Sequence, residues 1–266
     1  MRSIVNSVSH WYGRLGNNIQ QICNGILYSQ IHGDGFVSPH HELIDQVILN
    51  HEGKTMLRPN RFFHYNTQNK DFDIPIDFLY ENIGKVAKQY VVPNFKFSID
   101  KPFDDDTLVI HIRSGDIFAH EHNPPHDYVP NPLCYYLNLI EEYDKVIVVT
   151  EPDNCNPIVD ELRRIEKVTI QSKSVGEDFA TLMRAKNLAS SGTGTFAVAA
   201  GLCSSNLKNF YCTNLYLDEH LNPGMLMKTE EVTVYVMELK NYIQLKNWKN
   251  DEEQRKFILE YSNESI

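Results

Sequence analysis

The stretch TLVIHIRSGD, residues 107–116, determines how the rest of the chain is interpreted. Its first six residues form an apolar run of strand length, which is typical of a strand buried on both faces of a parallel sheet. Arg113, Ser114, Gly115 and Asp116 follow directly. A buried strand that ends in a cation, a flexible turn and a carboxylate places these groups at the sheet edge where ligands bind.

Strand-like and helix-like patterns alternate after this stretch. The predicted strands cover residues 107–112, 145–149, 167–171, 187–190 and 209–214. The predicted helices between them cover residues 133–143, 158–165, 178–186 and 195–203. This alternation predicts an α/β fold with a parallel sheet that helices cover on both faces.

The two ends of the chain add further elements. Residues 3–8 form a predicted strand, and a Gly-containing turn leads from it into a helix with an apolar stripe between Ile19 and Leu27. Near the C-terminus, the apolar residues between Val232 and Ile243 are spaced as in an amphipathic helix. The charged residues 249–256 suggest a second helix. We expect both terminal helices to pack back across the body.

Composition and charge exclude several classes of protein. The chain has 266 residues, of which 42% are hydrophobic, and this is enough for one large or two small domains. Lys and Arg number 25 against 35 Asp and Glu, so the net charge of −10 disfavours a general nucleic-acid or anionic-membrane binder. Any phosphate site must therefore be local.

The search for targeting signals and the spacing of the cysteines together predict where in the cell the protein is located. No apolar run approaches the length of a membrane span, and the first residues lack the apolar centre of a signal peptide. The five cysteines show no C-x-x-C spacing. The sequence predicts a cytoplasmic protein with reduced thiols and no membrane span.

The first candidate for chemistry is the end of the 107–112 strand. A guanidinium such as that of Arg113 suits a diphosphate, because it stays charged and contacts two oxygens at once. An ion pair between Arg113 and Asp116 is an equally good interpretation of the same spacing.

Two further segments contain small residues at the start of a helix. SSGTGT at residues 190–195 leads into a helix whose first N–H groups and positive dipole end suit phosphate. A helix cap at Thr193 or Thr195 is the simpler explanation of that segment taken alone. GRLGN at residues 13–17 is a strand–helix turn in which Arg14 either reaches into a cleft or is exposed to solvent.

Together these segments resemble the fucosyltransferase superfamily that uses GDP-fucose, which includes bacterial alpha-1,2-fucosyltransferases and protein O-fucosyltransferases. GRLGN at 13–17, followed by Gln20, is similar to the N-terminal Gly-x-x-Gly-Asn turn of that family. HIRSGD at 111–116 is similar to its His-x-Arg-Arg-Gly-Asp motif. A third likeness is to its Asp-x-x-Leu-Met helix and Ser-Thr-Phe helix start, and it involves Asp178, Leu182, Met183, Thr195 and Phe196.

Three positions depart from the family pattern. Ser114 replaces the second Arg of the motif, Gly194 replaces the Ser before Thr-Phe, and Val198-Ala199 replace a pair of Trp residues. These departures leave the sugar and the base of the donor open.

The resemblance implies a GT-B-like fold with two Rossmann-like domains. Residues 1–100, which have weak periodicity from about residue 33 onward, would form a reduced N-terminal domain on the acceptor side. Residues 101–228 would bind the nucleotide sugar, and residues 229–266 would form the C-terminal helices. The acceptor-side residues would be Gly13, Arg14, Gly16 and Asn17. Together with the Tyr-, Phe- and His-rich region after residue 33, they would form the acceptor wall, where aromatic faces suit the C–H surfaces of a sugar.

The resemblance also implies a reaction. A sugar, with fucose favoured, would move from a nucleoside diphosphate to a glycan hydroxyl with inversion, without a metal or other cofactor, and with GDP favoured over UDP. Arg113 and Thr195 would stabilise the leaving phosphate. Asp116 and His111 complete the expected catalytic set, with Asp116 as the general base. The alternatives for that base are His120, Glu121 and Asp127.

Later strand ends would supply the remaining donor contacts. The nucleoside would contact residues 150–152 and 171–178. Within them, Glu151 and Asp178 are placed to hydrogen-bond the ribose or the base, although Asp178 suits a helix N-terminus equally well. The helix start would contribute Ser191, Gly194, Thr195 and Phe196.

Three other functions stay open at this point. One is a transferase with another donor, such as a UDP-pentose, and one is a non-catalytic carbohydrate-binding module. The third is a metal hydrolase that uses HEHNPPHD at residues 120–127. The prolines predict an irregular loop there and not a helix that presents ligands one turn apart, so no metal ligand is assigned.

Overall fold

The computed structural model of the chain describes residues 4–50, 56–60, 73–119, 127–153, 155–229 and 231–262. Within these residues the protein is a mixed α/β fold with two sheets of mainly parallel strands. The α/β class predicted from the sequence is confirmed. No helix in the described ranges is both long and apolar enough to cross a membrane.

The larger sheet has six parallel strands. They are β5 (Thr107–Ile112), β6 (Lys145–Thr150), β7 (Val168–Gln171), β8 (Asn187–Ala189), β9 (Asn209–Thr213) and β10 (Thr233–Met237). Their spatial order is β10-β9-β8-β5-β6-β7. The chain fills one half of the sheet from β5 to β7, returns past β5 and fills the other half from β8 to β10. This reversal puts a switch point between the carboxyl ends of β5 and β8, where ligands bind in such sheets.

The smaller sheet belongs to the N-terminal part of the chain. Its strands are β1 (Ile4–Val8), β2 (Gly35–Val37), β3 (Ile48–Leu49) and β4 (Met56–Asn60), in the order β3-β2-β1-β4. Only the pairing of β2 with β3 is antiparallel. Two helices accompany this sheet, α1 (Leu15–His32) and α2 (Ile76–Val86).

Helices cover both faces of the larger sheet. They are α3 (Leu133–Glu141), α4 (Pro157–Leu162), α5 (Val175–Met183), α6 (Phe196–Cys203), α7 (Pro223–Met227) and α8 (Glu252–Glu260). On one face, α5, α6 and α7 share a single apolar core with α1 and α2. On the other face, α3, α4 and α8 bury a second core. Residues on both sides of the predicted boundary at residue 100 therefore contribute to one continuous core.

Most elements predicted from the 3.6- and 2-residue periods are confirmed, with ends that shift by up to about three residues. The start of α5 shows the reason for one such shift. Ser174 Oγ accepts from the N–H of Glu177, and the Glu177 carboxylate accepts from the N–H of Ser174. This capping box starts the helix at Val175, before the predicted residue 178.

The amphipathic helix predicted between Val232 and Ile243 is wrong. Residues Thr233–Met237 form the edge strand β10, which pairs in parallel with β9 from Thr233 opposite Asn209 to Met237 opposite Thr213. The sequence TVYVM consists mostly of β-branched and aromatic residues, and the open edge of β9 supplies backbone partners that an isolated pattern does not reveal. The second predicted terminal helix is present as α8, which packs on α3 and α4.

The loop after β8 makes a close backbone approach to the segment before α3. Gly192 has φ +90° and forms a bridge with Pro130. A Cβ at Gly192 would collide with the carbonyl oxygen of Val129. Gly33, at the C-terminus of α1, has φ +67° but nothing within 4 Å of an added Cβ.

These two glycines give a matched test of that approach. Gly33→Ala is expected to lower the unfolding free energy by about 1 kcal/mol, because the alanine must adopt the left-handed backbone conformation of Gly33 but its Cβ meets no other atom. Gly192→Ala is expected to cost about 3 kcal/mol, since the collision is added to the same backbone cost. Urea denaturation measures both, and equal costs would show that the loop does not need this contact.

Candidate functional site

A cleft of about 590 Å³ lies between the N-terminal unit and the carboxyl edge of the larger sheet. Strand ends and helix starts supply its polar wall: Arg14, Asn18, His111, Arg113, Thr150, Glu151, Lys173 and Asp178. Apolar and aromatic residues supply much of the rest: Trp11, Leu15, Leu43, Val149, Pro152, Val175 and Phe196. The loop His40–Glu42 completes the wall. The cleft opens where the sheet topology places a ligand crevice.

A second, smaller cavity of about 120 Å³ lies on the other side of Arg113. Its wall contains the glycine-rich loop after β8 and residues from four other segments: Asn17, Arg113, Asp127, Tyr128, Thr193, Gly194, Thr195, Tyr216, Leu217, His220 and Leu221. Arg113 lines both cavities. One arginine therefore forms part of the wall of both the cleft and the smaller cavity, next to the switch point.

Arg113 is held by its backbone and by its neighbours. Asn156 Nδ2 donates to the Arg113 carbonyl oxygen at 3.0 Å. The Nη2 atom donates to both Asp116 oxygens, at 3.0 and 3.2 Å, and the guanidinium carbon lies 5.2 Å from the Tyr128 ring centroid. The Nε atom is buried and has no hydrogen-bond partner among the described residues. The ion pair that the sequence offered as the alternative is present, and it leaves part of the guanidinium unused.

The loop after β8 is fixed mainly through its backbone. Tyr128 Oη donates to the Ser191 carbonyl oxygen at 2.7 Å, and Asn131 Nδ2 donates to that of Ser190 at 3.0 Å. Thr195 is the N-cap residue of α6, but its side chain makes no capping bond. Its Oγ1 instead donates to Asn17 Oδ1 at 2.5 Å. The first N–H groups of α6 are therefore left without a side-chain cap.

The start of α1 meets the start of α6 at this point. A Cβ at Gly16 would lie 2.6 Å from Thr195 Oγ1 and 2.9 Å from the Thr195 carbonyl carbon, so only glycine allows this approach. Neither helix has an acidic residue in its first turn, and the N-cap of α1, Arg14, makes no side-chain cap. Two helix N-termini with positive dipole ends thus meet at the cleft.

Two carboxylates balance the charge of Arg14, and a third fixes the loop after β5. Arg14 contacts Glu151 Oε1 at 2.5 Å and Asp116 Oδ1 at 3.3 Å, and Glu151 also accepts from the Ser114 N–H. Asp153 accepts from Ser114 Oγ at 2.5 Å and from the Gly115 N–H at 2.8 Å. Burial opposes the ionisation of Asp153, but these bonds and that from the Cys155 N–H lower its pKa. The loop after β5 is therefore tied to the loop after β6.

His111 lies at the base of the cleft with its ring centroid 5.0 Å from that of Phe196. Burial, followed by the positive charges of Arg113 and Arg14, lowers the pKa of His111 from 6.5 to about 3. The imidazole is neutral at neutral pH and has little basicity. The catalytic role expected of His111 is therefore restricted to hydrogen bonding or packing in the neutral form, and it does not include proton abstraction.

Asp178 serves the fold as well as the cleft. Its carboxylate accepts from Gln171 Nε2 at 2.8 Å and from the Lys173 N–H at 3.1 Å, and burial raises its pKa. It also lines the cleft, next to the exposed Lys173. Both interpretations of this residue, a helix N-terminal carboxylate and a cleft residue, describe its position.

Many of the site residues predicted from the sequence line one of the two cavities. The cleft contains Arg14, His111, Arg113, Glu151, Asp178 and Phe196, and the smaller cavity contains Asn17, Arg113, Asp127, Gly194 and Thr195. Gly13, Gly16, Asp116 and Ser191 line neither space. Asp116 and Gly16 touch lining residues, Ser191 is buried, and Gly13 packs on Asn17. His120 and Glu121 lie outside the described residues.

Other cleft residues were not named individually from the sequence, but most lie in segments that it assigned to the site. Lys173 falls in the segment 171–178 that is expected to contact the nucleoside, and the loop His40–Glu42 falls in the Tyr-, Phe- and His-rich region that is expected on the acceptor side. Trp11 was not named, because it precedes that region in a segment without regular periodicity. In the described part of the chain, no group of three or more His, Cys, Asp or Glu side chains is arranged to hold a metal ion.

The low pKa of His111 has a consequence for stability. Between about pH 3 and pH 6.5 the unfolded chain protonates this residue and the folded protein does not, so stability falls as the pH falls through that window. His111→Gln is expected to flatten the dependence of the unfolding free energy on pH, by up to about 1.4 kcal/mol per pH unit. Urea denaturation between pH 4 and pH 7 measures it, and circular dichroism at neutral pH verifies that the variant is folded. Equal slopes for both proteins would contradict the burial of a neutral imidazole.

No protein-family model matches this chain, and neither a curated protein nor a solved structure matches it. An assignment of function therefore depends on the topology of the larger sheet, on the two cavities and on the residues that line them.

Proposed function

We propose that this protein is a glycosyltransferase that moves a sugar, with fucose favoured, from a nucleoside diphosphate to a glycan hydroxyl. The observation that carries the proposal is the position of Arg113 and Thr193–Thr195. They follow the two strands that flank the switch point, and they line the same small cavity, while Arg113 also lines the large cleft. The resemblance of the three sequence segments to GDP-fucose-dependent transferases supports the same proposal and favours GDP over UDP.

The donor diphosphate would bind between Arg113 and the start of α6. The unused Nε of Arg113 and the uncapped N–H groups of α6 are hydrogen-bond donors, and phosphate oxygens accept from such groups. When the bond from the anomeric carbon to the phosphate oxygen breaks, its electron pair stays on that oxygen. The fixed guanidinium and the helix dipole stabilise this charge without a required metal.

The size and the walls of the large cleft suit the rest of the substrates. Its volume of about 590 Å³ lies within the range of ligand sites for organic molecules, and one wall comes from each of the two sheet units. Glu151, Lys173 and Asp178 offer polar contacts to a nucleoside on the side of the larger sheet. An arrangement of two sheets around a cleft supports the GT-B-like interpretation, with the acceptor on the side of the smaller sheet.

The acceptor hydroxyl must lose a proton as its oxygen attacks the anomeric carbon. Asp116 remains the proposed base, because it follows β5 directly and its side chain is 42% exposed. Its oxygens contact Arg14 and Arg113, so a bound diphosphate would take over part of the guanidinium and release a carboxylate oxygen. Asp127 is the rival: it lines the small cavity and lies 3.9 Å from Lys246 Nζ.

The role of Arg113 is tested by nucleotide binding. Arg113→Ala is expected to weaken GDP binding about 10- to 100-fold, because it removes charge-assisted hydrogen bonds to the phosphates. Isothermal titration calorimetry with GDP and UDP, with and without EDTA, measures this loss and any need for a metal. Arg164→Ala is the control, since Arg164 pairs with Glu161 on the surface of α4. Unchanged GDP affinity in Arg113→Ala would remove the basis of the proposal, and no nucleotide binding by the native protein would favour a carbohydrate-binding module.

A pair of isosteric variants tests the base. Asp116→Asn is expected to lower kcat by about 100-fold or more while GDP binds as tightly or more tightly, because a negative charge next to the phosphates is lost. Asp127→Asn is expected to change kcat by less than about tenfold. The rates of GDP-fucose hydrolysis and of fucose transfer are measured from the release of GDP. The opposite ranking would assign the base to Asp127.

A further inference from the structure

Part of the cleft wall that comes from the N-terminal unit is assigned no role in the donor site. Four residues of that part, Trp11, His40, His41 and Glu42, are called the aromatic wall. These residues come from two loops, one between β1 and α1 and one between β2 and β3. They line the same cleft as Arg113 and Glu151 but belong to the other sheet unit.

The aromatic rings in this wall are fixed by hydrogen bonds. Trp11 Nε1 donates to the His40 carbonyl oxygen at 2.8 Å. The N–H of Leu43 donates to His41 Nδ1 at 3.1 Å, so Nε2 carries the proton and donates to Asn18 Oδ1, also at 3.1 Å. The Trp11 and His41 rings meet edge to face with centroids 5.1 Å apart. The neutral state of His41 agrees with its pKa, which burial lowers.

Buried amides of α1 hold the Trp11 loop in place. Asn18 Nδ2 donates to the Tyr12 carbonyl oxygen at 2.9 Å. Gln21 Nε2 donates to the His10 carbonyl oxygen at 3.0 Å, and Gln21 Oε1 accepts from the Tyr12 N–H at 3.0 Å. Both amide side chains are buried. The helix that starts at the donor site therefore also sets the position of the Trp11 ring before any ligand binds.

The polar atoms of Trp11 and His41 are engaged within the protein, so these side chains offer a ligand mainly their ring surfaces. Glu42, next to them, is exposed and lines the cleft, and its carboxylate only accepts hydrogen bonds. A pyranose ring has C–H groups on one face and hydroxyl donors on its rim, which fits an aromatic surface with a carboxylate beside it. An anionic acceptor would be repelled by Glu42.

We infer that Trp11 is the stacking platform for a neutral sugar ring of the acceptor, with Glu42 as the acceptor of its hydroxyl hydrogen bonds. This inference rests on the proposed function, because it assigns the saccharide that the transferase modifies to the aromatic wall. A nucleobase is the other planar ligand that an aromatic ring could stack with. The acceptor is favoured, because the proposed nucleoside contacts, Glu151 and Asp178, follow strands of the larger sheet and the wall belongs to the smaller one.

The two tryptophans of the chain make the platform measurable by fluorescence. Trp248 is 2% exposed and its Nε1 donates to the Ile117 carbonyl oxygen, so a ligand in the cleft is not expected to change its fluorescence. The probes are lactose, N-acetyllactosamine and cellobiose, each titrated with and without saturating GDP. We expect at least one of them to change the emission of the native protein saturably, and we expect no change in Trp11→Phe, which retains Trp248.

Affinity measurements on two further variants complete the test. Trp11→Ala is expected to raise the dissociation constant of the responding saccharide about tenfold, and Glu42→Gln to raise it by a smaller factor. GDP affinity by calorimetry should change by less than about twofold in both variants, because neither residue is assigned to the donor site.

The outcomes separate this inference from the proposed function. If GDP binds but no saccharide changes the emission of Trp11, the platform is overturned and the donor site stands. If GDP alone changes that emission and Trp11→Ala loses GDP affinity, Trp11 stacks on the base and the inference is wrong. If saccharides respond but GDP and UDP do not bind, the platform stands as part of a carbohydrate-binding module, and the proposed transfer reaction fails.

Discussion

The contact between the start of α1 and the start of α6 is the constraint on which the site depends. Gly16 has no side chain, so the backbone of Thr195 comes against it, and Thr195 Oγ1 bonds to Asn17. This contact joins the N-terminal unit to the larger sheet at the end of β8. It also separates the two cavities, since Asn17 and Thr195 face the small one while Arg14 and Phe196 face the large one. A side chain at residue 16 would move the two halves of the cleft apart.

The same contact explains how an acidic protein gathers several positively charged groups at the cleft. Thr195 bonds to Asn17 and does not cap α6, so the N–H groups at the helix start stay available. Arg14, Arg113 and Lys173 add charge at the strand ends and the start of α1. Asp116 and Glu151 neutralise part of this charge. Under the proposed function, a diphosphate would compete with these carboxylates, which would lower its net gain in binding energy but would hold the arginines in place beforehand.

Sequence periodicity predicted an element correctly where the buried residues of that element form a continuous apolar run or a single helical stripe. The strands β5, β6, β8 and β9 lie inside their sheet and bury most of their residues, so their apolar runs identified them. The residues directly after β5 and β8 proved to be neighbours at the switch point. Helix α2 was missed because its buried residues Leu79, Ile83 and Val86 lie within a long region of otherwise weak pattern. β10 was mistaken for a helix because the apolar residues between Val232 and Ile243 continue beyond the strand at positions that also fit a helical spacing.

The sequence by itself determined the α/β class, most of the alternating elements and the strand ends that carry Arg113, Glu151 and the 190–195 loop, because these follow from local periods and from a general rule of parallel sheets. Only the tertiary structure decided which of those groups share a cavity, that Asp116 is engaged by two arginines, and that His111 is buried and neutral. It alone placed Trp11 and Glu42 in the cleft. Contacts between the N-terminal unit and the larger sheet depend on the packing of α1 against α6, and no local pattern of residues encodes how these two distant segments meet.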